Sequence, residues 1–205
     1  MRLVLASSSK SRLRLLEYIG YIPAIVHPAD IDETPLSKEL PKQLAERLAR
    51  AKASVIQRLY PSDIVLGADT VCCTGRTILP KALSEEDVRF CISKISGRRH
   101  RIYTSVCGIY KDRVSVKTVC SLIKFKKLSS EETKSFVESG SWYGNAGGYT
   151  LHGFAAAFIS WISGSDSNII GLPLHETYNI LAGLGISPSA EILSRQGAAQ
   201  PELYS

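Results

Sequence analysis

The stretch 2-RLVLASSSKSRLRLLEYIG-20 changes its hydrophobic period partway along. Residues 2–6 form an apolar run that reads as a short buried strand. From residue 9 to 19, Leu13, Leu15, Leu16 and Ile19 recur with helical spacing, and Gly20 is a natural stop. A strand that feeds a helix through a run of serines is the opening of a βα unit, and it predicts an α/β fold.

The chain on either side of later turns repeats the theme. Residues 21–28, "YIPAIVHP", read as a second strand, and 29–41 as a polar, acidic loop. Pro41 opens a helix on which Leu44, Leu48, Ala51, Val55 and Leu59 draw one apolar stripe. "DIVLGADT" (63–70) is a strand ending in polar residues, and "VCCTGRTIL" (71–79) a hairpin turning at Thr74-Gly75. Ser84 and Asp87 make a capping box for a helix over 84–95. Two β-rich segments, 100–110 and 114–126, flank a turn at Lys111-Asp112-Arg113. A capped helix over 129–138 stops at Gly140. The glycine-rich run "GNAGGYTLHG" (144–153) leads into an apolar strand over 154–162, and 173–185 is the final helix. The expected fold is α/β, a mixed twisted sheet flanked by helices, with a polar, frayed tail over 187–205.

Composition narrows the function classes. At 205 residues the chain makes one sizeable domain or two lobes sharing a core, large enough to fold without disulfides or metal. The apolar stretch 154–162 is too short to span a bilayer, and the N-terminus lacks a signal-peptide core, so a soluble, cytoplasmic protein is expected. Five cysteines without a C-x-x-C pair read as reduced, buried thiols. Lys and Arg number 25 against 19 Asp and Glu, a net charge of +6 that favours a polyanionic partner, either nucleic acid or a phosphorylated small molecule. The excess is dispersed, without a run of five like charges, so it does not choose between them.

Three sets of residues could carry chemistry. The turn "ASSSKSR" (6–12) exposes backbone N–H groups at a helix N-terminus, beside hydroxyls and the cation Arg12, which suits a phosphate. Plain capping by Ser9 accounts for the same residues. No G-x-x-x-x-G-K-[ST] and no G-x-S-x-G is present, which excludes a P-loop and a serine-hydrolase elbow. Asp69 stands at the carboxyl end of an apolar strand, where open α/β sheets form ligand crevices, with the Thr70 hydroxyl beside it. Together with Glu33 of the Asp32-Glu33 loop pair, it could hold Mg²⁺ against substrate phosphates. The alternatives are a turn-capping aspartate and a solvated loop glutamate. Lys52 and Lys81 are the third set. Each has a bland reading, a snorkelling lysine and a surface turn, but with the carboxylates they describe a site for a triphosphate and a metal.

These residues resemble the Maf family of nucleoside triphosphate pyrophosphatases, and the likeness runs from Leu3 to about Leu184. The family pattern L-A-S-x-S-x-R-R resembles "LASSSKSR", matching Ser7, Ser9 and Arg12. "DIDET" carries Glu33, "RAKA" carries Lys52, "GADT" carries Asp69, "LPKA" carries Lys81, and "ISGRRH" ends at His100. "NIIGLPLHET" is similar to the stretch V-V-G-L-P-L. Ser11, Ala82, Asn145 and His152 depart from the pattern, standing where arginine, proline, lysine and glutamine are usual.

The resemblance implies one catalytic domain over 1–186, built as two lobes around a central cleft, similar to inosine triphosphatase. It implies hydrolysis of a standard or non-standard nucleoside triphosphate to monophosphate and pyrophosphate, and a link to cell-division arrest. Asp69, Glu33 and Lys81 would be catalytic. Ser7, Ser9, Arg12, Lys52, Thr70 and His152 would bind substrate, and Glu33 with Asp69 would hold Mg²⁺ or Mn²⁺. No membrane or nucleic-acid partner is expected, and a homodimer is compatible with the family. Histidine in place of glutamine predicts a base preference other than thymine or uracil. The rival from another class is a non-catalytic nucleic-acid or division-protein binder on the same fold, and salt dependence separates it from a metal-dependent enzyme.

Overall fold

Strand β1 (Leu3–Ala6) is apolar and buried at every position, because it is an inner strand of a sheet covered on both faces. Leu3 and Leu5 face one core, Val4 and Ala6 the other. The structure, a computed structural model, describes residues 1–192 and 194.

β1 pairs in parallel with β2 (Ile25–Val26) on one side and β3 (Ile64–Thr74) on the other. The sheet then continues antiparallel through β5 (Arg99–Tyr110), β6 (Arg113–Phe125) and β7 (Ile159–Ser163), while β4 (Thr77–Leu79) folds back on β3. Seven strands of mixed direction result, as expected. Helices α1 (Lys10–Tyr18) and α6 (Leu174–Leu184) line one face and α2 (Pro41–Leu59) the other. α3 (Glu85–Ile95), α4 (Ser130–Glu138) and the short α5 (Asp166–Ile170) complete the set. A separate core, built on Val88, Ile92, Phe125 and Phe136, makes a second lobe beyond the end of β1.

The capping box at Ser84/Asp87 forms as the sequence indicates, and the capped helix begun at Ser129 closes a second box with Glu132. Four expectations are corrected. The strand expected over 21–28 pairs only at Ile25–Val26, since Pro23 and Pro28 have no N–H to give to a ladder. The segment before β7 is a 3₁₀ helix, Phe154–Phe158, whose Ala155 and Phe158, three apart, face the core. On α2 the buried face is Leu44, Leu48 and Lys52 with Ala45, Ala49 and Ala53, whereas Leu59 is exposed. The described start of the tail is not frayed: Ser189 donates its N–H to the Gly20 carbonyl at 2.8 Å. The rest of the tail, 193 and 195–205, lies outside the described residues. No helix among the described residues is long and apolar enough to cross a membrane.

The alanine face of α2 explains how the site is placed. A Cβ on Gly67 would meet Ala49 O at 2.7 Å and Ala53 N at 2.8 Å, so helix and strand approach as closely as glycine allows. That contact brings Lys52, one turn along α2, over Asp69, two residues along β3. β1 ends opposite Gly67, and β4 begins pairing only at Cys72. Between those points no strand among the described residues covers this edge of β3. The chain leaving β1 and the chain leaving β4 diverge there, which opens the cleft between the lobes.

Candidate active site

The gap on β3 is the mouth of a cleft of about 330 Å³, lined by Ser7, Ser9, Arg12, Glu33, Lys52, Asp69, Thr70 and Lys81. Eight of the nine expected site residues therefore converge. His152 does not: its side chain is exposed and lies outside the lining. Leu151 turns into the cleft, and the chain then reverses at Gly153, with φ of 127°, before the 3₁₀ helix. His152 is left on the outside of that bend, and the base-reading role expected of it loses its geometric support.

The serine turn does both things the sequence allowed. Ser9 caps α1, accepting from Arg12 N at 3.3 Å, and still lines the cleft. Ser7 Oγ accepts from Ser9 N and from Arg12 Nη1, both at 3.2 Å. Arg12 is held on two further sides, Nε donating to Gly171 O at 2.9 Å and Nη2 to Thr70 Oγ1 at 3.1 Å. Burial pulls this guanidinium down from its ordinary value, against the charges of Asp69 and Glu33.

Asp69 and Thr70 are neighbours on a strand, so they point to opposite faces; both reach the cleft because the sheet edge is open between them. Lys52 Nζ sits 2.7 Å from Asp69 Oδ1 and 2.6 Å from Glu33 Oε1. Lys81 Nζ takes the other oxygen of Glu33 at 2.8 Å. Burial pushes the Glu33 carboxyl up, but the two ammoniums outweigh it and hold it down to about 2. Asp69 Oδ2 has no hydrogen-bond partner among the described residues and is the carboxylate oxygen left to the cleft.

The opposite wall is the glycine-rich segment, clipped to the chain beyond β4. Gly144 N donates to Ala82 O at 2.8 Å, Ala82 N to Asn145 O at 3.1 Å, and Gly147 N to Pro80 O at 2.9 Å. The left-handed Gly147, with φ of 72°, leaves no room for a side chain, as a Cβ would meet Cys72 Sγ at 2.5 Å. Tyr149 is anchored behind it by a hydrogen bond to His100 Nε2. Burial pulls His100 down to about 4, so the ring is neutral. Tyr149, Thr150 and Leu151 line the cleft and were not singled out from sequence; Ser11 and Asn145, noted only as departures, line it too.

The arrangement sets basic side chains beside a pair of carboxylates. Arg12, Lys52, Lys81 and the N-terminus of α1 face the same space as two carboxylates that already share an ammonium.

The chain is similar to known proteins over most of its length. The family described as Maf-like protein matches residues 2–184. A protein of Wolbachia pipientis wMel named dTTP/UTP pyrophosphatase is 50% identical over 182 residues, covering 88% of this chain and 92% of its own. One of Caulobacter vibrioides with the same name is 49% identical, covering 91% and 97%. One of Ehrlichia chaffeensis named nucleoside triphosphate pyrophosphatase is 49% identical, covering 88% and 94%. Among solved structures, the Staphylococcus aureus Ham1 protein is similar with a TM-score of 0.48 and 15% identity, over 97% of each chain. With a family match across nearly the whole chain and relatives at half identity over almost their full length, the chain belongs to the Maf-like protein family.

Proposed function

We propose that the protein is a nucleoside triphosphate pyrophosphatase, hydrolysing its substrate at the α-phosphorus to the monophosphate and pyrophosphate. The observation that carries this is the convergence of Arg12, Lys52 and Lys81 with Glu33 and Asp69 in one cleft. The names of the relatives support it and put dTTP and UTP first among substrates to test.

The residues fit a divalent cation bound together with substrate. Asp69 and Glu33 are close enough to clasp one ammonium, and hard oxygen donors suit Mg²⁺ or Mn²⁺. No group of three or more His, Cys, Asp or Glu able to hold a metal occurs among the described residues, so the remaining donors would be phosphate and water. Asp69 and Glu33 would hold the ion, which supplies charge neutralisation on the triphosphate.

The chain's own groups do the rest. Arg12 keeps one N–H on each Nη for phosphate oxygens, its other three being committed to Gly171, Ser7 and Thr70. Lys52 and Lys81 trade carboxylate for phosphate as the triphosphate enters, neutralising charge where it builds up. Asp69 Oδ2 accepts a hydrogen bond from the attacking water and orients it. The test is a nucleotide panel with Mg²⁺ or Mn²⁺, with and without excess chelator. Pyrophosphate as first product, lost on chelation, is the expected result; orthophosphate first, or turnover indifferent to chelator, overturns the reading.

A further inference from the structure

Behind Arg12 the hydrogen bonds run in one direction, away from the cleft. Arg12 Nη2 donates to Thr70 Oγ1 at 3.1 Å, Thr70 and Thr104 hydroxyls are 3.0 Å apart, and Thr104 Oγ1 donates to Asn168 O at 2.7 Å. A threonine hydroxyl has one hydrogen. Thr104 spends its own on Asn168, so in the threonine pair Thr70 must be the donor. Thr70 then has no hydrogen left for a substrate, and its lone pairs are turned to Arg12. Its place in the site is therefore support for a cation and not a contact to phosphate.

The end of the chain is fixed. Thr104 and Asn168 are fully buried. Asn168 Nδ2 donates to Ile102 O at 3.2 Å and Ser121 Oγ at 2.9 Å, which ties α5 to β5 and β6. Gly171, which closes α5, accepts from Arg12 Nε. Helix α5 and its closing glycine thus hold the guanidinium twice, directly through Gly171 and through the two threonines. Aligned donors of this kind polarise one another.

We propose that Thr104 is a positioning residue for the anion site: by accepting from Thr70 it forces that hydroxyl to present its lone pairs to Arg12, and so sets the guanidinium for the triphosphate. This rests on the reading of the cleft as a triphosphate site. Without the Thr104 oxygen, the Thr70 hydrogen is free to turn toward Arg12 and oppose it.

The test is the affinity for inorganic tripolyphosphate, measured by calorimetry on the full chain. Thr104→Val should weaken binding roughly tenfold, because the released Thr70 hydroxyl no longer holds its hydrogen bond from the charged Arg12. Thr104→Ser, which keeps the hydroxyl, should restore wild-type binding. In an Arg12→Ala background, Thr104→Val should cost nothing more, within about twofold. Thr104→Ala, which removes the hydroxyl and leaves Thr70 in place, carries the test if Thr104→Val does not fold. An unchanged affinity in the valine variant, failure of serine to restore it, or an equal loss with and without Arg12 overturns the proposal. Wild-type protein that binds tripolyphosphate but turns over no nucleotide overturns the pyrophosphatase reading and leaves this one standing.

Discussion

Lys52 and Asp69 form a buried ion pair 2.7 Å long, with side chains 8% and 5% exposed, beside the close approach of α2 to β3 at Gly67. Seventeen residues separate them in sequence. Asp69→Asn keeps the shape and removes the charge, so turnover should fall by ~10²–10⁴-fold while the fold persists. Steady-state kinetics alongside thermal unfolding checks both halves. A melting temperature far below wild type, or activity within a few-fold of it, would make Asp69 a structural residue.

The two lysines on Glu33 should separate cleanly by stability. Lys52→Met leaves Asp69 buried without its partner and should cost about 3 kcal/mol. Lys81 is half exposed, and Lys81→Met should change stability by less than about 1 kcal/mol. Denaturant unfolding of both variants decides it, and equal losses would show that the burial of Lys52 carries no energetic weight.

Gly67→Ala should destabilise the protein by about 1–3 kcal/mol or more, because both atoms in the way are backbone. The same push widens the gap between α2 and β3, so activity should fall with stability. A variant as stable and active as wild type would mean that the close approach does not set the site.

Glu33 is held down to about 2 from an ordinary 4.5. A depressed carboxyl stabilises the fold at pH above its unfolded value, and that contribution is lost as pH falls from about 4.5 toward 2. His100, held down to about 4 from 6.5, acts in the same sense: the unfolded chain takes up its proton first, so stability declines as pH falls from 6.5 toward 4. Unfolding free energy measured against pH should therefore decline first in the histidine range and again in the acid range. Glu33→Gln should flatten only the acid limb, and a variant curve parallel to wild type below pH 4.5 would contradict the assignment.

Much of this was legible in the sequence, and the illegible parts share a cause. The strand-to-helix opening, the helix caps at Ser84 and Ser129, and the helix begun by Pro41 are local signals, and they appear where the residues place them. The apolar run 154–158 misleads because a buried 3₁₀ turn and a strand look alike without a register. Thr104 and Gly171 carry no local mark of their role. Thr104 becomes the neighbour of Thr70 only once β3 and β5 pair, and Gly171 reaches Arg12 across 159 residues of chain. His152 sits one residue past Leu151, where the glycine-rich segment stops lining the cleft, a distinction that the turn at Gly153 makes and the motif does not.

The central claim is water attack at the α-phosphorus in the cleft around Asp69. Turnover of dTTP and UTP in ¹⁸O-water, with products resolved by mass spectrometry, tests it most directly. The account predicts label in the monophosphate, none in the pyrophosphate, and loss of both products in Asp69→Asn. Label in pyrophosphate, or in orthophosphate released as the first product, would contradict it.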